Sequence, residues 1–362
     1  MFVNTSFSFI KRIANIIGKN YNNSGLLPCQ KWTNFCTSSC LNSSIGDEYL
    51  GSSSRQSGFT PRRAVLYVPA SEQNKLEKLK GLAVDCAVMD CEDGVSINRK
   101  DVARENIRMA LDSLSAPGVT DLAVRINAMD SGIAADDLAV IYKASNLPKT
   151  VMLPKVNSKG DLHLFSEMFV DILKTRQCPD YKAKLVIFVE SAIGLLNLRD
   201  ILAEGIELSK TVPFHLEGVV FGSDDFCADI GASRTEDAKE LLYARQKVVL
   251  TAKAFELQAV DLVHINFRDL ESLEKQSLEG AGMGFTGKQV IHPSQVYIVQ
   301  KAFSPSADKV EWAQELIKAF EDHERLGKGA MTFRGSMIDM PLVLQARNIL
   351  RLVNMSDDAT QR

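Results

Sequence analysis

The 362-residue chain has no apolar run approaching the ~20 residues that a membrane-spanning helix needs. Its best candidate, residues 185–198, is interrupted by Glu190, Ser191 and Asn197, so neither a spanning segment nor a membrane partner is expected. The body of the chain also lacks any basic block. Its 42 basic and 45 acidic residues are interspersed to a net charge of -3, which leaves no footprint for nucleic acid. The seven cysteines, at 29, 36, 40, 86, 91, 178 and 227, follow no paired spacing, which excludes a disulfide framework. Cys86 and Cys91 bracket an apolar strand without a second pair at zinc spacing, and the five histidines form no ligand pair. With 45% hydrophobic and 24% charged residues, the chain still has the make-up of an ordinary folded protein.

Acidic residues are missing from one end. Before Asp47 lie Lys11, Arg12, Lys19 and Lys31, many Ser, Asn and Thr, and no Asp or Glu. Val3, Phe7, Ile10, Ala14 and Ile17 share one helical face, while Lys11 and Arg12 interrupt the place where the apolar core of a secretory signal would sit. The pattern predicts a mitochondrial import presequence, with a basic N-terminal arm as the alternative. Residues 1–58 are expected to be transit peptide and flexible, Ser-rich linker. The mature protein is expected in the mitochondrial matrix, with structure beginning near Pro61.

Beyond that point short apolar, β-branched runs alternate with longer amphipathic stretches. The runs fall at residues 64–68, 85–89, 122–126, 150–153, 185–189, 218–221, 262–265 and 289–291. The gaps between them hold helical patterns, such as 71–82, 100–114, 158–174 and 236–257, long enough for crossover connections. Eight such units predict an α/β fold, a (β/α)8 TIM barrel over residues 59–303, with a doubly wound open sheet as the alternative. Residues 304–362 read as a C-terminal helical segment, two helices joined by a Gly-rich stretch.

Polar residues cluster where the apolar runs stop: Tyr67; Asp90, Glu92 and Asp93; Arg125 and Asn127; Lys155; Glu190; Asp224 and Asp225; Asn266; His292. A parallel barrel brings all these strand ends to one rim, so they converge on one mouth. Several carboxylates in one cleft repel each other and are driven toward protonation unless a cation joins them. Asp and Glu without clustered His or Cys are hard oxygen ligands, which favours Mg²⁺ or Mn²⁺ over zinc. Glu190 is the leading ligand candidate; spacing alone does not separate Asp224 from Asp225. Arg125 has the fork that suits a substrate carboxylate, or else it neutralises the acidic rim.

The strings RRAVLYVPA, VDCAVMDCEDGV, VRIN, MLPKV, FVESAIGLLN, VVFGSDDF, LYARQKVV, GFTGKQVIHPSQ and GSMIDMP resemble the citrate lyase β-subunit-like branch of the HpcH/HpaI aldolase superfamily. The likeness runs from about Pro61 past Pro341. It implies a Mg²⁺-dependent enzyme that cleaves (3S)-citramalyl-CoA to acetyl-CoA and pyruvate, with side condensations of malate-synthase type. By motif match it implies Glu190 and Asp225 as metal ligands, with Asp224 a neighbour. Arg125 would grip the substrate. Asp339 would be the catalytic acid/base, contributed to the mouth of an adjacent subunit in a homotrimer. Tyr67, Lys78, Arg99, Lys100, Arg104, Ile291, His292 and Ala330 match positions that contact the CoA thioester. One departure stands out: Asn74 replaces a lysine of that family one turn before Lys78, and the adjacent Lys75 points about 100° away on a helix.

Cleavage of such a thioester leaves an enolate on the α-carbon and converts the carbinol to a ketone, so it needs a Lewis acid at one end and a proton donor at the other. Asp339 is the candidate donor, although Asp before Met340 and Pro341 also has the character of a helix cap. Gly282, Gly284 and Gly287 satisfy G-x-G-x-x-G but precede a strand instead of following one, so they are no dinucleotide fingerprint. Cys227 is expected to pack in the core. The alternatives are a phosphoenolpyruvate- or pyruvate-handling barrel enzyme, which needs no Asp339, and a non-catalytic citrate-lyase-like subunit, which has no use for an unneutralised rim.

Overall fold

The structure, a computed structural model, describes residues 60–178, 180–325 and 331–360. The expected presequence and linker, and Ala330, lie outside the described residues. Eight strands pair in chain order, all parallel: β1 (Ala64–Pro69), β2 (Val84–Asp90), β3 (Val119–Arg125), β4 (Thr150–Leu153), β5 (Ala183–Val189), β6 (Phe214–Phe221), β7 (Gln258–Asp261) and β8 (Gly287–Val290). Closure comes from β8 against β1, with Ala64, Val65 and Leu66 opposite Lys288, Gln289 and Val290. The helices between them are α1 (Gln73–Glu77), α2 (Lys100–Ser113), α3 (Ala134–Ile141), α4 (Lys159–Arg176), α5 (Ala192–Leu208), the short α6 (Ser223–Ile230), α7 (Leu242–Ala254) and α8 (Leu270–Met283). The helix α9 (Pro293–Ala302) completes the ring. The expected (β/α)8 barrel is the fold. Among the described residues no helix is long and apolar enough to cross a membrane.

Strand alternation divides the core in two. Val65, Cys86, Val88, Ala123, Met152, Val186, Phe188, Val220 and Val260 form the cluster inside the barrel, while their neighbours along each strand pack outward against the helices. Helix starts follow the sequence signals. Ser191 Oγ accepts from the Gly194 N–H at the head of α5, and Pro293 opens α9, where Gln295 Oε1 accepts from the Ile291 and His292 N–H groups. Gly284 ends α8 with φ +101°, and a β-carbon on Gly287 would meet the Arg62 carbonyl at 1.9 Å. Turn geometry and packing thus account for Gly284 and Gly287, while nothing in the structure requires glycine at 282.

Two expectations need correction. The seventh strand is Gln258–Asp261, four residues before the apolar run at 262–265. Its polar ends find partners inside the fold: the Gln258 side-chain N–H donates to the Thr60 carbonyl, and Asp261 pairs with Arg245 at 2.7 Å. The C-terminal segment is α10 (Ala307–Arg325), a hairpin of β9 (Met331–Phe333) and β10 (Ser336–Ile338), and α11 (Met340–Thr360), so the link between the helices is a hairpin and not merely Gly-rich. Arg334 (φ +48°) and Gly335 (φ +83°) form its two-residue turn. This arm has its own small core of Ala313, Leu316, Ile338, Val343 and Ala346, and it leaves Met337 77% exposed.

The end of the barrel opposite the mouth is plugged by a buried ion cluster. Arg62 donates to Asp121 (2.7 Å), Glu217 (2.9 Å) and Thr150 (3.1 Å). Removing one partner of such a cluster leaves a buried charge uncompensated. Arg62→Ala is therefore expected to lower stability by about 3–5 kcal/mol in urea denaturation; a variant as stable as the native chain would show that this plug carries no such load.

Candidate active site

At the other end, register does the first part of the assembly. Asp90 at the end of β2 lies opposite Arg125 at the end of β3, and both side chains point inward. Arg125 makes a two-pronged contact with Asp90, Nε to Oδ1 and Nη2 to Oδ2, each 2.7 Å, and Nη1 reaches Glu92 Oε2 at 2.9 Å. The guanidinium lies 5.0 Å from the Tyr67 ring centroid and 5.6 Å from that of Phe188. Burial alone would favour its neutral form, but Asp90 and Glu92 hold it firmly protonated. Three of its five N–H donors are engaged, which leaves two for a ligand. Of the two sequence readings of Arg125, the pairing with Asp90 and Glu92 is the one seen directly: it neutralises the rim.

The second part is a chain of contacts across the acids. Glu92, buried, bridges Arg125 to Lys155 Nζ at 2.8 Å. The backbone N–H of Lys155 donates to Glu190 Oε1 at 2.6 Å, just past the end of β5. Burial, then Asp225 and then Glu92 push the Glu190 carboxyl up to about 8. Its other oxygen lies over Gly222, where a β-carbon would sit only 2.4 Å from Oε2. Gly222 has φ -80°, so closeness to Glu190, not backbone freedom, explains the glycine.

Geometry also separates the two aspartates that spacing could not. Asp224 turns to Arg234 (3.5 Å), whereas Asp225, in the first turn of α6, is the neighbour that acts on Glu190. Asp90, Asp93, Glu190, Asp224 and Asp225 all line one cavity with a single histidine, His292; a donor set dominated by hard carboxylates fits Mg²⁺, which takes few protein ligands and keeps waters. Among the described residues no three His, Cys, Asp or Glu side chains are arranged closely enough to hold a metal ion by themselves.

These groups line a cavity of about 780 Å³. Of the sequence-predicted residues, Tyr67, Lys78, Arg125, Glu190, Asp225, Ile291 and His292 lie on it. The Tyr67 hydroxyl and Ser223 Oγ are buried without a protein partner. Lys75 lines the cavity beside Lys78, because residues three apart share a helix face. Arg99, Lys100 and Arg104 do not line it. Lys100 Nζ donates to the carbonyls of Cys91 and Glu92 and to Asn127 Oδ1, which uses all its protons, and Arg104 is held by Asp137 at 2.7 Å. Arg99 donates to the Ser71 carbonyl. Of these three, Lys100 braces the acidic loop from behind. Asp339 also lies outside its own chain's cavity; it caps α11 by accepting from the Leu342 N–H at 3.1 Å. Sequence reasoning missed the roles of Asp90, Glu92, Gly222 and Phe188; the glycine between an apolar run and an Asp pair was the available signal.

A closed barrel with a clamped guanidinium and paired carboxylates at the C-terminal strand ends defines a (β/α)8 enzyme suited to carbonyl chemistry. Residues 63–293 match the HpcH/HpaI aldolase/citrate lyase family, and the chain belongs to it. It is 51% identical over 294 residues to the mitochondrial citramalyl-CoA lyase of Mus musculus, covering 81% of this chain and 86% of that one. It is 32% identical over 290 residues to a (3S)-malyl-CoA thioesterase of Cereibacter sphaeroides, covering 80% and 94%. Among solved structures, CitE from Mycobacterium tuberculosis in complex with magnesium, acetoacetate and coenzyme A superposes with a TM-score of 0.64 at 29% identity, over 81% of this chain and 98% of that one.

Gly222→Ala inserts a methyl group where Glu190 Oε2 lies. It is expected to weaken Mg²⁺ binding by about 10–100-fold in titration calorimetry with the circular dichroism spectrum unchanged; native affinity in that variant would contradict the packing of Glu190 on Gly222.

Proposed function

We propose that the chain is a Mg²⁺-dependent carbon–carbon lyase that splits (3S)-citramalyl-CoA into acetyl-CoA and pyruvate in the mitochondrial matrix. The observation that carries this reading is the meeting of Arg125, Glu190 and Asp225 on one cavity whose outer wall bears Lys75 and Lys78. The 51% identity to an enzyme of that name supports the substrate and the compartment. The arm with its separate core, and Asp339 lying outside its own cavity, support an arm that completes a neighbour's mouth; that the assembly is a homotrimer is what the family resemblance implies.

Glu190 and Asp225 are the residues that would hold the metal, and the chemistry supplied there by Mg²⁺ when bound is Lewis acidity toward the hydroxyl and carboxylate of the keto-acid half. The two free donors of Arg125 bind the same half and steady oxygen charge as the carbinol becomes a ketone. The Tyr67 hydroxyl, buried and unpartnered beside Arg125, contacts the thioester half. Lys75 and Lys78 on the rim attract the CoA phosphates. Asp339 from an adjacent subunit delivers a proton to the enolate carbon, which becomes the acetyl methyl group. The hydroxyl gives up one proton and the α-carbon gains one, so the reaction consumes none overall.

Pyruvate release from citramalyl-CoA tests the reading. EDTA is expected to abolish it and Mg²⁺ to restore it. Asn caps a helix as well as Asp does, so Asp339→Asn should keep the native melting temperature yet lose about 10²–10⁴-fold in rate. Full activity in that variant would remove Asp339 from the chemistry; full activity in EDTA would remove the metal.

A further inference from the structure

Lys155 follows Pro154 at the C-terminal end of β4 with φ +53°, a left-handed conformation that a residue with a β-carbon adopts at a cost. The other non-glycine residues with positive φ among those described, Gln177, Ala238, Glu256 and Arg334, lie at helix ends or turns, where such backbone is common. Lys155 alone of the five touches the acidic mouth. Its two ends are both fixed: the N–H donates to Glu190 Oε1 at 2.6 Å, and Nζ donates to Glu92 at 2.8 Å and lies 3.4 Å from Asp93. Glu92 in turn holds Arg125.

We infer that Lys155 is the positioning residue of the metal site: its left-handed backbone aims the N–H at Glu190 Oε1, which leaves Oε2 as the single oxygen that Glu190 offers a divalent cation. The ammonium's bond to Glu92 holds the backbone in that conformation. Oε2 lies over Gly222 at the start of α6, the helix whose first turn carries Asp225. The side chain acts at one remove, through its own main chain. The inference rests on Glu190 being a metal ligand. It also implies an unusual order of substitutions, because what matters is tolerance of positive φ and not resemblance to lysine.

Mn²⁺ affinity of the full chain, read by electron paramagnetic resonance with Mg²⁺ competition, tests this without recourse to turnover. Lys155→Gly, Lys155→Asn and Lys155→Met all lack the ammonium but differ in tolerance of left-handed backbone, Gly above Asn above Met. The Gly variant is expected to bind Mn²⁺ within about threefold of the native chain or more tightly, and the Met variant about tenfold or more weakly, with Asn between them. A nearby charge acting alone would shift all three equally, so equal affinities overturn the inference, as does native affinity in the Met variant. If Met fails to fold, judged by its melting curve, the Gly–Asn difference decides. Absence of Mn²⁺ binding by the native chain would instead overturn the assignment of Glu190 as a ligand.

Discussion

Like charge gathered in a partly dry cleft is the constraint around which this molecule is arranged. Asp90, Glu92, Asp93, Glu190 and Asp225 stand close together at the barrel mouth, and only Arg125 and Lys155 answer them within the same network. The two cations are distributed so that Asp90 and Glu92 are paired with them, whereas Glu190 receives a backbone N–H; burial raises both Glu92 and Glu190, the latter to about 8. A buried acid left short of a cation is a site prepared for one. Among these acids Glu190 is thus the one held by a main-chain donor in place of a cation.

The remainder of the fold makes that arrangement tolerable. Closed parallel pairing fixes Asp90 opposite Arg125 before any side chain chooses a rotamer, and the apolar inner cluster beneath them leaves the guanidinium no other direction. Lys100, with every proton spent on the back of the acidic loop, holds Cys91, Glu92 and Asn127 in place without entering the cavity. At the far end, Arg62 and its acids tie the same strands together with a buried ion cluster. An ion cluster that ties the strands at one end and ligand-facing polar groups at the other are the division of labour expected of this barrel type.

Much of this was legible in the sequence because burial on both faces makes barrel strands apolar throughout. The run at 150–153 coincides with β4, and most other runs differ from their strands only at the ends. The reading failed at β7, where Gln258 and Asp261 are polar residues matched by Thr60 and Arg245, distant partners that no local pattern reveals; the more apolar stretch after it drew the assignment. The hairpin of the arm was missed because its turn is Arg-Gly, outside the usual Asn-Gly and Asp-Gly signals. At the site, residue type and position identified Glu190, Asp225 and Arg125 as rim groups. Spacing could not say that Asp224 turns to Arg234, nor that Lys100 and Arg104 face inward, since both are matters of side-chain direction and helix packing.

The most direct test of the central claim is crystallographic. Crystals soaked in Mn²⁺ and measured at a wavelength where manganese scatters anomalously are expected to show one strong peak in contact with Glu190 Oε2 and a carboxylate oxygen of Asp225. A mouth without that peak, or a peak held by Asp224 and Arg234's surroundings instead, would contradict the account.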